Sequence, residues 1–231
     1  MDGSGGADFS GIQEAINNAS ADDTIIVHSG VYYEKIYVNK SVTLKGIGYP
    51  VVDANGSGSA ITLNADGITL EGFNATNSGG WDCAGINVIS SNNTITGNKV
   101  CNNSDGIHLS FSRNNSIYLN NFINNTFNVD SYASTNIWNS PEEITYTYNR
   151  TTYASYLGNY WADYKGRADA NGIGDTPYSI DPEKDECDLY PLMTPFENYI
   201  CSESDTEVAA TANMETIAKT FVTLLKESER T

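Results

Sequence analysis

The chain has 231 residues, 12 Lys+Arg against 29 Asp+Glu and a formal net charge of −17, enough for one domain with a small appendage. A surface that acidic repels phosphate backbones and anionic headgroups, which excludes nucleic-acid binding and peripheral membrane attachment as first readings. With no apolar run of membrane-spanning length and no leader-like start, neither a membrane span nor a signal peptide is present in this sequence; an exported chain would already have lost its signal. Only 18% of residues are charged, below the roughly one quarter of an ordinary soluble domain, and much of the remaining polarity comes from 27 Asn.

In chain order, Ser10 with Gln13 reads as a capping box, followed by Ile12, Ala15, Ile16 and Ala19 on one face. This predicts a short amphipathic helix over 10–19. An internal repeat then begins: VTLKGI from Val42, ITLEGF from Ile68, ITGNKV from Ile95 and IYLNNF from Ile117, spaced 26, 27 and 22 residues. Second short strands start at Ile61, Ile86 and Ile107, and the register continues through Val129 and Ile137. Strands this short cannot bury a face alone, and a period in the twenties suits one coil of a parallel β-solenoid. With coils about 4.8 Å apart, residues 24–140 make about five. The fold predicted is all-β: a single-stranded parallel β-helix plugged by the N-terminal helix over 1–140, an irregular aromatic closure over 141–200, and a C-terminal α-helix or linker over 201–231. The closure is expected to open with a hairpin or edge strand at ITYTYN. The last helix is read from Ser204 with Glu207 and from Ile217, Phe221, Leu224 and Leu225.

Asparagine suits such corners, because its side chain tolerates left-handed backbone and bonds locally. Stacked Asn side chains also hydrogen-bond from coil to coil, and Asn98 and Asn120 are the candidates for such a ladder. Nine Asn stand in N-x-[ST] glycan-acceptor motifs: Asn18, Asn39, Asn55, Asn74, Asn92, Asn102, Asn114, Asn124 and Asn149. Cys83, Cys101, Cys187 and Cys201 lack zinc-ribbon and redox spacings; two disulfides of an exported protein is the plain reading.

FSGIQEAINNASADDTIIVHSGVYYEKIYVNKSVTLKG, DGIHLSFSRNNSIYLNNF, LGNYWADY, NGIGDTPYSI and DLYPLM resemble the NosD-like, pectin-lyase-like right-handed parallel β-helix proteins, including the carbohydrate-binding and sugar-hydrolysis repeat domains of archaeal cell surfaces. The resemblance covers residues 8–196. It implies a right-handed β-helix and an extracellular, cell-surface place. It does not settle activity, because the fold hosts lyases, hydrolases, epimerases, binding modules and passive surface proteins.

With Ile86, Ile107 and Val129 inward, Asn87, His108 and Asp130 form one outward column. Thr43, Thr69, Thr96, Tyr118 and Trp138 are read as a second. Tyr118 and Trp138, flanked by His108, Asp130 and Arg113, make a surface suited to a sugar ring; the alternative is that residues 141–161 fold over it. Asp105 with Asp130, or Asp82 with Asp105, are candidates for a hydrolase carboxylate pair across neighbouring coils, although Asp before Gly is more simply a turn residue. Five Lys+Arg in residues 1–140 give no basic groove for a polyuronate, and His28 reads as a turn residue. Copper is rejected, since three Met, two scattered His and four Cys form no soft cluster. No cofactor is required; a structural calcium at Asp169, Asn171 and Asp175 of DANGIGD is the one metal suggested. The sequence thus describes an exported, non-catalytic β-helix that binds a polysaccharide or glycan or joins a surface assembly. The alternatives are a polysaccharide-acting enzyme using Asp105, His108 and Asp130, and a self-associating subunit or surface-protein partner.

Overall fold

The computed structural model describes residues 8–201; the helix expected near the C-terminus lies outside them. Helix α1 (Ile12–Asn18) precedes five three-stranded coils. These are β1 (Thr24–His28), β2 (Val31–Tyr32) and β3 (Ile36–Val38); β4 (Thr43–Ile47), β5 (Val51–Asp53) and β6 (Ile61–Leu63); β7 (Thr69–Glu71), β8 (Asn74–Thr76) and β9 (Ala84–Val88); β10 (Thr94–Thr96), β11 (Lys99–Cys101) and β12 (Asp105–Ser110); and β13 (Arg113–Tyr118), β14 (Asn121–Ile123) and β15 (Phe127–Tyr132). A partial sixth coil adds β16 (Thr135–Ile137) and, after the hairpin β17 (Ile144–Tyr148) and β18 (Thr151–Ser155), β19 (Tyr160–Trp161). The first, second and third strands of successive coils stack in parallel into three walls. The hairpin β20 (Tyr178–Asp181) and β21 (Glu186–Asp188) and the edge strand β22 (Ile200–Cys201) complete the closure. The hairpin expected at ITYTYN is thus β17–β18.

The core is the inward residue of each short strand. Leu44, Leu70, Ile95 and Ile117 stack in one column and are fully buried. The repeats therefore align two residues differently from the letter match: Ile95 sits on Leu70, not on Ile68. The slot of Ile68 is taken in the next coils by Asn93, Asn115 and Asn136, whose amides continue the wall's bonding.

Three asparagine ladders run up the solenoid. Asn98 Nδ2 and its backbone N–H both donate to Asn120 Oδ1 at 3.0 Å, and Asn120 donates in the same way to Asn159 Oδ1. The expected Asn98–Asn120 pair is the centre of this ladder. Asn93, Asn115 and Asn136 form a second, and Asn103 with Asn125 a third. Every rung passes donors toward the C-terminal end, so the last rung needs an acceptor with no hydrogen of its own. Strand β21 supplies two: Glu186 Oε1 accepts the Asn136 N–H at 3.0 Å, and Asp188 Oδ2 accepts the Asn159 N–H at 2.7 Å. The same carboxylates accept the indole N–H groups of Trp138 and Trp161. Phe122, Trp161 and Tyr178 stack as parallel rings that end the core.

The other end is plugged by α1, as expected from the Ile12, Ala15 and Ile16 face, which is buried. The capping box does not form. Gly11 is the N-cap, Ser10 bonds Glu14, and the Glu34 carboxylate takes the N–H groups of Ile12 and Gln13. Gln13 Oε1 accepts the Tyr37 N–H, and Lys40 Nζ donates to the carbonyls of Ile16, Asn17 and Ala19. A carboxylate and an ammonium from the first coil thus do the work of helix caps.

Candidate functional site

The third wall presents Tyr37, Thr62, Asn87, His108 and Asp130 as one outward column, as the sequence predicted for its last three members. Strict alternation would put Asp105 on the opposite face from His108, three residues on. The alternation breaks at Gly106. A Cβ there would lie 2.6 Å from Asn128 O and 2.9 Å from Asn125 Nδ2 and Phe122 Cδ1, so Gly106 turns its bare α-carbon toward the interior, and Ile107 beside it is also buried. The doubled inward step leaves Asp105 on the His108 side, and donor atoms of Asp105, His108 and Asp130 all lie within 4.8 Å of one another.

His108 Nδ1 lies 3.0 Å from Asp130 Oδ2. A carboxylate only accepts, so the imidazole places its Nδ1–H there. Asp105 is nearly buried; burial pushes its carboxyl above the usual range, and the Asp130 charge adds to the rise, while His108 opposes it. Asn87 Oδ1, one coil below His108 in the column, is buried and accepts no hydrogen bond.

Aromatic rings flank this cluster. Phe111 and Tyr132 are 72% and 61% exposed and meet edge to face with centroids 5.4 Å apart. Trp81, just before β9, projects into solvent, as does Phe127 beside Asp105 on the next coil. The sequence reading missed Phe111 and Tyr132. The available signal was the 22-residue offset that sets Ser110 against Tyr132, which brings Phe111 beside that ring.

The expected aromatic pair is corrected. Trp138 is 1% exposed, packed on Trp161 and bonded to Glu186. Asn136 must face inward to continue its ladder, so Ile137 faces out and Trp138 faces in; the register also shifts between β13 and β16. Tyr118 is half-buried on the first wall, its hydroxyl pushed up chiefly by burial and also by nearby Glu71 and Cys201. Its column is Lys45, Glu71, Thr96 and Tyr118, whereas Thr43 and Thr69 stack with Thr94 and Ser116. Arg113 opens β13 on that same wall, its backbone bonded to Ser91 and Asn92, and is not brought to His108.

In DANGIGD, Asn171 Oδ1 accepts the Ile173 N–H and Asp175 Oδ1 accepts the Arg167 N–H. The side chains read as calcium ligands thus brace their own turn, and Asp169 is not in the one His/Cys/Asp/Glu grouping found among the described residues. Asp82 precedes β9 in left-handed backbone. His28 ends β1 and is exposed.

The two-disulfide expectation is also corrected: all four cysteines are free thiols. Cys83 lies in the turn before β9 while Cys101 ends β11 on another wall, and Cys187 and Cys201 belong to different small sheets. Cys83 Sγ donates to Trp81 O, Cys101 Sγ to Asn74 Oδ1 and Cys201 Sγ to Tyr199 O. Of the glycan-acceptor asparagines, Asn74 is half-buried within β8 and the other eight are exposed. Asn55, Asn92, Asn102, Asn114, Asn124 and Asn149 adopt positive φ at corners, a structural duty that accounts for much of their number.

The fold and this wall define a three-walled parallel β-solenoid that carries a polar and aromatic ridge on one face. The chain belongs to the NosD family, described as periplasmic copper-binding protein (NosD), whose profile matches residues 51–166. A cell surface glycoprotein of Methanothermus fervidus is 47% identical over 68 residues, which are 28% of this chain and 12% of that protein. No solved structure matches the chain. The copper in the family's description finds no sulfur-rich site among the described residues. The thiols are dispersed, and the one grouping of donor residues is one imidazole with two carboxylates, a harder set than Cu(I) prefers.

Proposed function

We propose that this surface β-helix is a non-catalytic module that binds polysaccharide along the third wall. The observation that carries the reading is the Phe111–Tyr132 pair standing exposed beside the Asp105, His108 and Asp130 cluster. Aromatic faces take the CH faces of sugar rings, and carboxylates and imidazole take their hydroxyls. A separate groove of about 520 Å³ lies at the end of this wall, lined by Phe127, Val129, Asp163, Lys165 and Tyr178. The M. fervidus relative carries the words cell surface glycoprotein, which agrees with a place outside the cytoplasm. The test is sedimentation with insoluble polysaccharides, with released reducing ends measured in the supernatant. Cosedimentation that Phe111→Ala with Tyr132→Ala abolishes, without reducing ends, supports the module; cosedimentation indifferent to both substitutions refutes it.

One observation favours a second reading. Asp105, its carboxyl pushed up by burial, lies close to the Asp130 carboxyl group, and glycoside hydrolysis works through two neighbouring carboxyl groups. The enzyme reading predicts reducing ends that vanish in Asp105→Asn.

A further inference from the structure

We propose that Asp105, His108 and Asp130 hold one divalent first-row cation of the zinc class, clamping β12 to β15 across the fourth and fifth coils. Zinc ligands lie about 2.0–2.1 Å from the ion in a tetrahedron, which puts adjacent donor atoms about 3.4 Å apart. The 3.0 Å between His108 Nδ1 and Asp130 Oδ2 is within about half an ångström of that edge. All donor separations lie within 4.8 Å, and turning the Asp105 or Asp130 carboxylate toward a common centre brings the set to the tetrahedral spacing. The ion replaces the Nδ1 proton, a deprotonation that metal binding ordinarily requires.

Two further observations point to a ligand. The lysine ion pairs of the described residues join Lys45 to Glu71, Lys99 to Glu197 and Lys184 to Asp181, and none of them reaches Asp105 or Asp130. Beside His108 in the column, the buried Asn87 Oδ1 has no donor, and an ion or the water bound to it supplies a partner. An imidazole nitrogen in the set favours zinc over calcium or magnesium, whose sites are all oxygen. The site goes beyond the glycan reading and stands or falls without it.

The experiment is equilibrium dialysis of the full chain against Zn²⁺ in the presence of excess Ca²⁺, with bound metal measured by mass spectrometry and the melting temperature followed in parallel. The expected result is one zinc per chain and a higher melting temperature. Asp130→Asn, an exposed position, and His108→Ala should each weaken binding by at least about tenfold, while Asp169→Asn leaves it unchanged. Zinc uptake that survives both site substitutions, or no stoichiometric uptake by a chain whose circular dichroism is that of the folded protein, overturns the proposal.

Discussion

Asn120 is the sharpest test of the ladder account. Its side chain is fully buried; Oδ1 accepts two N–H groups of Asn98, and Nδ2 donates to Ile95 O, Tyr118 O and Asn159 Oδ1 at 2.8–3.0 Å. In Asn120→Ala, Asn98 Nδ2 keeps its bonds to Leu70 O and Thr96 O, but the Asn98 backbone N–H loses its acceptor. An orphaned buried donor costs about 1–3 kcal/mol, and the lost bonds and the void add about 2 more, for a total of about 3–5 kcal/mol. Asn120→Asp keeps the acceptor oxygens and loses both amide N–H donors, leaving a carboxylate facing three oxygens, so it is expected to be worse. Urea unfolding followed by far-ultraviolet circular dichroism measures both, with exposed Asn114→Gly as the control that keeps left-handed backbone available. A loss below about 1 kcal/mol in Asn120→Ala would refute the reasoning, since no unsatisfied buried donor is that cheap.

The plug makes a pH prediction. Burial pushes the Asp188 carboxyl up from 3.8 to about 6, against the bonds from Asn159, Trp161 and Tyr190 that favour its charge. A raised folded value means the stabilising contribution is full below the unfolded pKa and is lost as pH rises through 6, a span worth about 3 kcal/mol. Stability of the native chain should therefore gain on Asp188→Asn as pH falls from 8 to 4, and parallel urea midpoints for the two proteins would contradict this. Gly106→Ala should cost about 1–3 kcal/mol by overpacking against Asn128 and Phe122 and weaken glycan retention; an unchanged melting temperature would remove the argument for the broken alternation. Alkylation in denaturant without reductant should add four groups by mass, one per thiol, and a gain of none would restore the disulfides.

The architecture was legible because short apolar-polar-apolar strands at a period in the twenties have one economical solution, and because buried Asn at a fixed repeat position has few roles other than a ladder. The alignment slipped where letters mislead: ITL and ITG look alike, but the position of Ile68 passes to Asn93, a change from apolar packing to amide bonding that no hydropathy pattern separates. Trp138 was misplaced because parity at β16 is set by the Asn136 ladder and not by the apolar Ile137. Asp105, His108 and Asp130 were found by alternation and spacing, yet the reason they converge, the inward Gly106, depends on what a Cβ would strike. Glu34, Glu186 and Asp188 act at distances of 21 to 50 residues along the chain, and only the folded coil order shows which open donors they meet.

The proposed function puts the working face on the third wall, at Phe111 and Tyr132, and not on the first wall at Tyr118. Native electrophoresis through gels cast with neutral and acidic polysaccharides tests it most directly, with Phe111→Ala and Tyr118→Ala run beside the unaltered chain. Retardation that Phe111→Ala removes and Tyr118→Ala leaves intact is the predicted result; mobility unaffected by every polymer, or retardation lost only with Tyr118→Ala, would contradict it.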